Sequence, residues 1–87
     1  MSIKVHMNTA LLSLTGGQSI IEVKGESVNQ CLDYLREHYP GLEEHMFDNE
    51  DKLWSNIEVY LNRNIVYIDQ PVKDGDELAF VLGVAGG

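Results

Sequence analysis

The chain has 87 residues, enough for one small domain, and its 44% hydrophobic and 23% charged residues are typical of a folded globular protein rather than a disordered one. Six Lys and Arg against fourteen Asp and Glu give a formal net charge of −8, which disfavours nucleic acid as a partner. No apolar stretch is long enough to span a membrane, and no secretory signal pattern opens the chain. A single cysteine excludes an internal disulfide. We therefore expect a soluble cytoplasmic protein that binds neither nucleic acid nor membrane.

Alternating apolar residues predict two strands near the N-terminus. Residues 3–7 and 21–23 place hydrophobic side chains at every second position, the period of a half-buried strand. The connector between them closes with Thr15-Gly16-Gly17-Gln18, in which the glycines permit the positive φ of a turn. We expect a loose hairpin, because about ten residues separate the two strands rather than two.

One main helix is predicted to begin after Ser27. Ser27 and Gln30 have the spacing of a capping box, in which the hydroxyl accepts from an early backbone N–H and the amide side chain reaches back. Apolar side chains then recur on one helical face, namely Val28, Cys31, Leu32, Leu35 and Tyr39. Pro40-Gly41 ends the helix. The acidic stretch 42–52 is interpreted as an exposed connector with one helical turn that buries two side chains, those of Leu42 and Met46.

The second half of the chain is predicted to return to strand. Residues 57–61 alternate again, Asn62-Arg63-Asn64 suits a tight turn, and residues 65–68 run back as a short strand. A turn-rich loop over 71–77 leads into a last strand over 78–82. This order of elements is that of an α+β fold, in which one helix covers one face of a mixed four- to five-stranded sheet.

No pattern in the body of the chain indicates a catalytic or metal site. The chain has three histidines, His6, His38 and His45. They fall on different predicted elements and do not have the spacing of metal ligands. Cys31 lies on the apolar helix face, where a thiol is usually an inert hydrophobic group. The acidic run over 43–51 lacks the residue order of a calcium loop. We therefore expect no catalytic residue, no metal ligand and no bound cofactor.

The last five residues differ in character from the rest of the chain. They carry no charge and little bulk, and they are Gly83, Val84, Ala85, Gly86 and Gly87. Five extended residues reach about 17 Å, and glycines pass through a slot too narrow for a side chain. We expect a folded domain over 1–82 and an extended tail over 83–87 that presents a terminal carboxylate, with a frayed terminus of no function as the alternative.

Five short motifs follow one another along nearly the whole chain. They are Leu14-Thr15-Gly16-Gly17-Gln18, Tyr39-Pro40-Gly41-Leu42, Ile57-Glu58-Val59-Tyr60-Leu61-Asn62, Lys73-Asp74-Gly75-Asp76-Glu77-Leu78 and Val84-Ala85-Gly86-Gly87. In their order and spacing they resemble the MoaD/ThiS family of ubiquitin-like sulfur carriers, which have the β-grasp fold. The most specific part of the resemblance is the acidic DGDE turn followed by the terminal VAGG.

The resemblance implies a function for the tail. An activating enzyme of the ubiquitin-activating type, similar to MoeB and ThiF, would use ATP to adenylate the carboxylate of Gly87. A sulfur-donor enzyme would convert the acyl-adenylate to a thiocarboxylate, and an acceptor synthase would take the sulfur. The protein would then be a carrier and co-substrate rather than an enzyme, or the non-catalytic small subunit of molybdopterin synthase.

Several alternatives remain open within this resemblance. The sulfur acceptor would be a cysteine synthase, the large subunit of molybdopterin synthase or a thiazole synthase. The Thr-Gly-Gly-Gln segment slightly favours the carriers that serve cysteine biosynthesis. A ubiquitin-like modifier joined to lysines through Gly87, and a plain interaction domain, are the other hypotheses. In the β-grasp strand order, the first, last and third strands are neighbours. Their outward side chains would form a partner-binding patch that consists of His6, Tyr60, Ala79 and Val81.

Overall fold

A mixed five-stranded sheet with one main helix packed on one face forms the body of the protein, which confirms the α+β prediction. The computed structural model describes residues 2–7, 9–48, 53 and 57–82. The elements are β1 (Ser2–His6), a 3₁₀ helix η1 (Thr9–Leu14), β2 (Ile20–Lys24), α1 (Val28–His38), α2 (Leu42–Met46), β3 (Ile57–Leu61), β4 (Asn64–Val66) and β5 (Glu77–Leu82). No helix in this part of the chain is long and apolar enough to cross a membrane.

The sheet has the strand order β2-β1-β5-β3-β4. The β1–β5 pair is parallel, and the other three pairs are antiparallel. The first two strands form the expected loose hairpin, because the 3₁₀ helix and the glycine turn lie between them. The last strand, β5, therefore lies in the middle of the sheet, with hydrogen-bonded neighbours on both sides.

The hydrophobic core lies between the sheet and the helices. The inward strand residues are those that the alternation predicts, and they include Ile3, Val5, Ile21, Val23, Ile57, Val59, Leu78 and Phe80. They face the apolar side of α1, where four residues are buried, namely Val28, Cys31, Leu32 and Leu35. The predicted helical turn after Pro40 is confirmed as α2, with Leu42 and Met46 buried. Phe47 is also buried at the end of α2 and was not predicted.

The start of α1 is capped from two directions. Ser27 Oγ accepts a hydrogen bond from the backbone N–H of Gln30 at 3.2 Å, as the capping box predicts. The Gln30 side chain reaches back to the N–H of Glu26 at 2.9 Å, one residue before the position that a standard capping box uses. The remaining free N–H groups, of Val28 and Asn29, donate to carbonyls in the loop after β4. These bonds join that loop to the helix start.

Two elements differ from the sequence prediction. The connector before the glycine turn folds as the 3₁₀ helix η1, which buries Leu11 in the core. The return strand predicted over 65–68 is instead β4 at Asn64–Val66. It ends early because the Ile68 carbonyl accepts from the N–H of Asn29 at 2.8 Å, which turns the chain away from the sheet edge. The glycine turn itself is confirmed by positive φ values of 67° and 83° at Gly16 and Gly17.

Candidate partner-binding face and the exit of the C-terminal tail

The sheet face opposite α1 carries a continuous transverse row of side chains. The strand register pairs one residue from each strand across the whole sheet, in the order Ile20, His6, Ala79, Tyr60 and Ile65. Val81 lies two residues further along β5 on the same face and is 41% exposed. The structure thus brings the four patch residues predicted from the sequence onto one surface, and their role in binding remains a prediction.

A depression of about 660 Å³ lies over this row, lined in part by Tyr60, Ala79 and Val81. Its polar side holds a hydrogen bond between two side chains, with His6 Nε2 2.7 Å from Glu77 Oε1. Arg63 also lines it, from the β3–β4 turn. The surface is therefore apolar at its centre and charged along one side, the composition of a protein-binding surface.

A network of hydrogen bonds around Asp76, which we call the hub, lies at the charged end of this face. Asp76 accepts from the Asn62 side-chain amide at 3.0 Å through Oδ1 and from the backbone N–H of Lys73 at 2.9 Å through Oδ2. The side-chain oxygen Oδ1 of Asn62 accepts in turn from the backbone N–H of Glu77 at 3.0 Å. The hydrogen bonds that the Asp76 carboxylate accepts hold its pKa below the ordinary value. The bond from Asn62 has the larger effect, and the bond from the backbone of Lys73 follows. The hub joins the β3–β4 turn to the start of β5.

Strand β5 sets the position from which the C-terminal tail leaves the domain. It pairs with β1 over residues 77–79 and with β3 over residues 78–82, and its last residue, Leu82, pairs with Ile57 at the first position of β3. The predicted tail residues Gly83, Val84, Ala85, Gly86 and Gly87 lie outside the described residues. The domain boundary expected between 82 and 83 accordingly stays a prediction.

Cys31 is unsuited to nucleophilic chemistry. Its side chain is fully buried in the core, and burial raises the pKa of the thiol to about 11. Thiolate is therefore scarce at neutral pH, in agreement with the interpretation of Cys31 as an inert core residue. Among the described residues, no group of three or more His, Cys, Asp and Glu side chains is placed to hold a metal ion.

The other two histidines lie on the helical side of the molecule, away from the sheet face that carries His6. The His38 ring stacks on Tyr34 with ring centroids 3.9 Å apart, and its Nδ1 lies 3.0 Å from the Tyr34 carbonyl oxygen. His45 lies in α2 and is exposed. The expectation that the three histidines occupy separate elements is confirmed.

Sequence reasoning missed the two ends of the transverse row. Ile20 and Ile65 are 49% and 62% exposed, and both belong to edge strands. The signal that finds Ile65 is the two-residue turn at Asn62-Arg63, where both residues have positive φ. Such a turn pairs Leu61 with Asn64 and therefore Tyr60 with Ile65.

The comparisons with known proteins agree on one family. Residues 5–87 match the model described as the ThiS family. The sulfur carrier protein CysO of Mycobacterium tuberculosis is 28% identical over 93 residues, covering 100% of both chains. Small archaeal modifier protein 1 of Haloferax volcanii is 30% identical and covers 88% of this chain and 91% of that protein. The molybdopterin synthase sulfur carrier subunit of M. tuberculosis is 32% identical and covers 77% of this chain and 72% of that protein.

Solved structures of the same group superpose closely on this fold. A chain in the crystal structure of the Amycolatopsis orientalis BexX/CysO complex matches with a TM-score of 0.85 at 34% identity, over 98% of this chain and 99% of that one. The crystal structure of the H. volcanii modifier matches with a TM-score of 0.89 at 27% identity, over the full length of both. The five-stranded sheet and its helix are therefore those of the ubiquitin-like carriers.

Proposed function

This chain belongs to the ThiS family of ubiquitin-like β-grasp proteins, and we propose that it is a sulfur carrier that accepts and delivers sulfur through the carboxylate of Gly87. The observation that carries the proposal is the reach of the family match, which runs from residue 5 through Gly87 and so includes the glycine tail. A carrier of this kind is a co-substrate, and its body serves to present the tail to other enzymes in the cytoplasm.

The chemistry needs two steps, and partner enzymes supply the reactive groups for both. A carboxylate is a poor electrophile, so an oxygen of the Gly87 carboxylate first attacks the α-phosphorus of ATP and displaces pyrophosphate. A hydrosulfide equivalent from a sulfur donor then attacks the acyl carbon, the bond to AMP breaks, and a thiocarboxylate remains. ATP is consumed at the activating enzyme, and the carrier itself needs no bound cofactor.

We assign the outer sheet face to the activating enzyme. Tyr60, Ala79 and Val81 provide an apolar centre, and His6 lies beside it, hydrogen-bonded to Glu77. The same strand that carries Ala79 and Val81 continues toward the tail, so an enzyme bound on this face lies next to the segment on which it acts. The net charge of −8 favours a basic docking surface on the partner, with association slowing as salt rises.

The sulfur acceptor that we favour is a cysteine synthase. Supporting observations are the full-length similarity to CysO and the structural match to the CysO complex. The large subunit of molybdopterin synthase and a thiazole synthase are the other acceptors. A second candidate function is protein tagging, in which Gly87 forms an isopeptide bond with lysine, and the similarity to the archaeal modifier favours it specifically.

Intact mass spectrometry tests the proposal. The purified chain is incubated with the activating enzyme from the same organism, ATP and a sulfide source. We expect a mass gain equal to the difference between one sulfur and one oxygen atom, localised to Gly87 by fragmentation. Discrete conjugates on lysines would instead show tagging, and an unchanged mass with no pyrophosphate release would contradict both functions.

A Gly87 deletion provides the matched control. It should abolish the mass gain and leave the thermal unfolding midpoint of the domain unchanged, because Gly87 lies five residues beyond the last described strand, β5 (Glu77–Leu82). A deleted chain that still gains sulfur would show that another group carries it.

A further inference from the structure

A second exposed apolar surface lies at the β4 edge of the sheet. It consists of Ile65, Tyr67 and Ile68, which are 62%, 85% and 46% exposed, and we call it the β4-edge cluster. Large apolar side chains that are this exposed and adjacent in the chain are typical of interaction sites rather than of ordinary protein surface. At the opposite edge, Ile20 is exposed among polar neighbours, with Ser19 before it and Glu22 two residues after it.

The β4-edge cluster is held in place by backbone hydrogen bonds. The Tyr67 carbonyl accepts from the N–H of Gln70 at 3.1 Å, and the Ile68 carbonyl accepts from the N–H of Asn29 at 2.8 Å. The Gln70 carbonyl accepts from the N–H of Val28 at 2.9 Å. The first turn of α1 thus anchors the segment that exposes Tyr67. A backbone segment that is already held in place loses little further entropy when a partner covers it.

The register places this cluster at the end of the sheet from which the tail leaves. Strand β4 runs antiparallel to β3, as does β5, so β4 and β5 point the same way. Val66 pairs with Val59, which pairs with Phe80, so β4 ends two residues short of the level of Leu82, and Tyr67 follows directly after it in the chain. One strand separates β4 from β5, a lateral distance of about 10 Å. An enzyme that acts on the tail must approach this end of the domain.

The β4-edge cluster is also continuous with the outer sheet face. Ile65 lies directly opposite Tyr60, which lines the depression assigned to the activating enzyme. Acidic side chains flank the cluster, with Asp69 following it in the chain and Glu58 exposed on the neighbouring strand. A partner that covers the cluster needs an apolar pocket with basic residues around it, and this matches the basic docking surface expected for the activating enzyme.

We propose that the β4-edge cluster is part of the docking surface for the activating enzyme, with Tyr67 as the aromatic anchor that fills an apolar pocket on that enzyme. The inference rests on the proposed carrier function. It extends the binding surface from the centre of the sheet to its edge, and it predicts a larger interface than the four patch residues alone would form.

Steady-state adenylation kinetics test this inference with the purified activating enzyme, ATP and the full chain, measured as pyrophosphate release. Tyr67→Ala should raise the KM for the carrier about 30-fold, equivalent to about 2 kcal/mol, with kcat unchanged. Ile65→Thr should raise it several-fold. The control is Ser13→Ala, an uncharged exposed position in η1 that lies outside the outer sheet face, and it should leave KM unchanged.

Each outcome has a defined meaning. Unchanged KM for Tyr67→Ala in a chain with wild-type thermal stability would overturn the inference, as would a defect confined to sulfur transfer to the acceptor. Equal effects of Ile65→Thr and Ser13→Ala would also overturn it, because they would show that a change at the β4 edge matters no more than one elsewhere on the surface. If the wild-type chain releases no pyrophosphate with any activating enzyme, the carrier function fails instead, and the two failures are thereby distinguished.

Discussion

Replacing Asp76 should destabilise the domain more than any other acidic substitution in its loop. The carboxylate of Asp76 accepts from Asn62 and from the backbone of Lys73, and the residue is only 6% exposed. A hydrogen bond to a charged group contributes about 1.5–3 kcal/mol, and such contributions within one network are not additive. We therefore expect Asp76→Ala to lower the free energy of unfolding by about 3 kcal/mol, since it leaves two donors without their partner.

Urea unfolding followed by circular dichroism measures this loss, and Asp74→Ala is the matched control. Asp74 lies in the same loop and carries the same charge, but its hydrogen bond, accepted from the N–H of Ser2 at 2.8 Å, is exposed to solvent. The control should lose less than about 1 kcal/mol. An equal loss for Asp74→Ala and Asp76→Ala, or a loss below about 1 kcal/mol for Asp76→Ala, would refute the reasoning.

The pH dependence provides an independent check on the same carboxylate. Because the pKa of Asp76 is lowered in the folded state, its charge stabilises the fold above the unfolded pKa of about 3.9. That contribution is lost as the pH falls through the lower folded value. The stability difference between the wild type and Asp76→Asn should be constant from about pH 7 to 5 and should shrink below about pH 4. A difference that grows on acidification would contradict the assignment.

Three further predictions concern other parts of the molecule. The Cys31 thiol, with its pKa raised to about 11, should resist alkylation at neutral pH until urea unfolds the chain; rapid labelling of the native protein would contradict its burial. Val81→Asp should weaken binding to the activating enzyme at least about tenfold by calorimetry without unfolding the domain, and unchanged affinity would contradict the binding role of the patch. Gly25→Ala should cost about 2 kcal/mol in urea unfolding, because a Cβ there would lie 2.9 Å from the backbone nitrogen of Cys31; wild-type stability would show that the helix start shifts freely.

The strands and the main helix were predictable because their signals are local. Alternation along residues 3–7 and 57–61 reflects one buried face, and the Ser27 cap reflects the unpaired N–H groups of a helix start. The early end of β4 was not predictable in this way. It depends on Asn29, which is distant in the chain and draws the Ile68 carbonyl away from the sheet edge.

The candidate site was predictable in part. Once the strand order is taken from the family resemblance, alternation alone places His6, Tyr60 and Ala79 on one face. The hub around Asp76 could not be derived from the sequence, because its partner Asn62 lies 14 residues away and acts through a side chain. The exposure of Tyr67 escaped prediction for a similar reason, since an aromatic residue after a strand is more often part of the core.

The central location of β5 has a mechanical consequence. A pull on Leu82 along the strand loads its hydrogen bonds in shear rather than opening them one at a time, since β5 pairs with β3 over residues 78–82 and with β1 over residues 77–79. Tension applied to Leu82 along β5 is therefore shared by the three central strands of the sheet. The body should withstand such traction and release intact, ready for another round of loading.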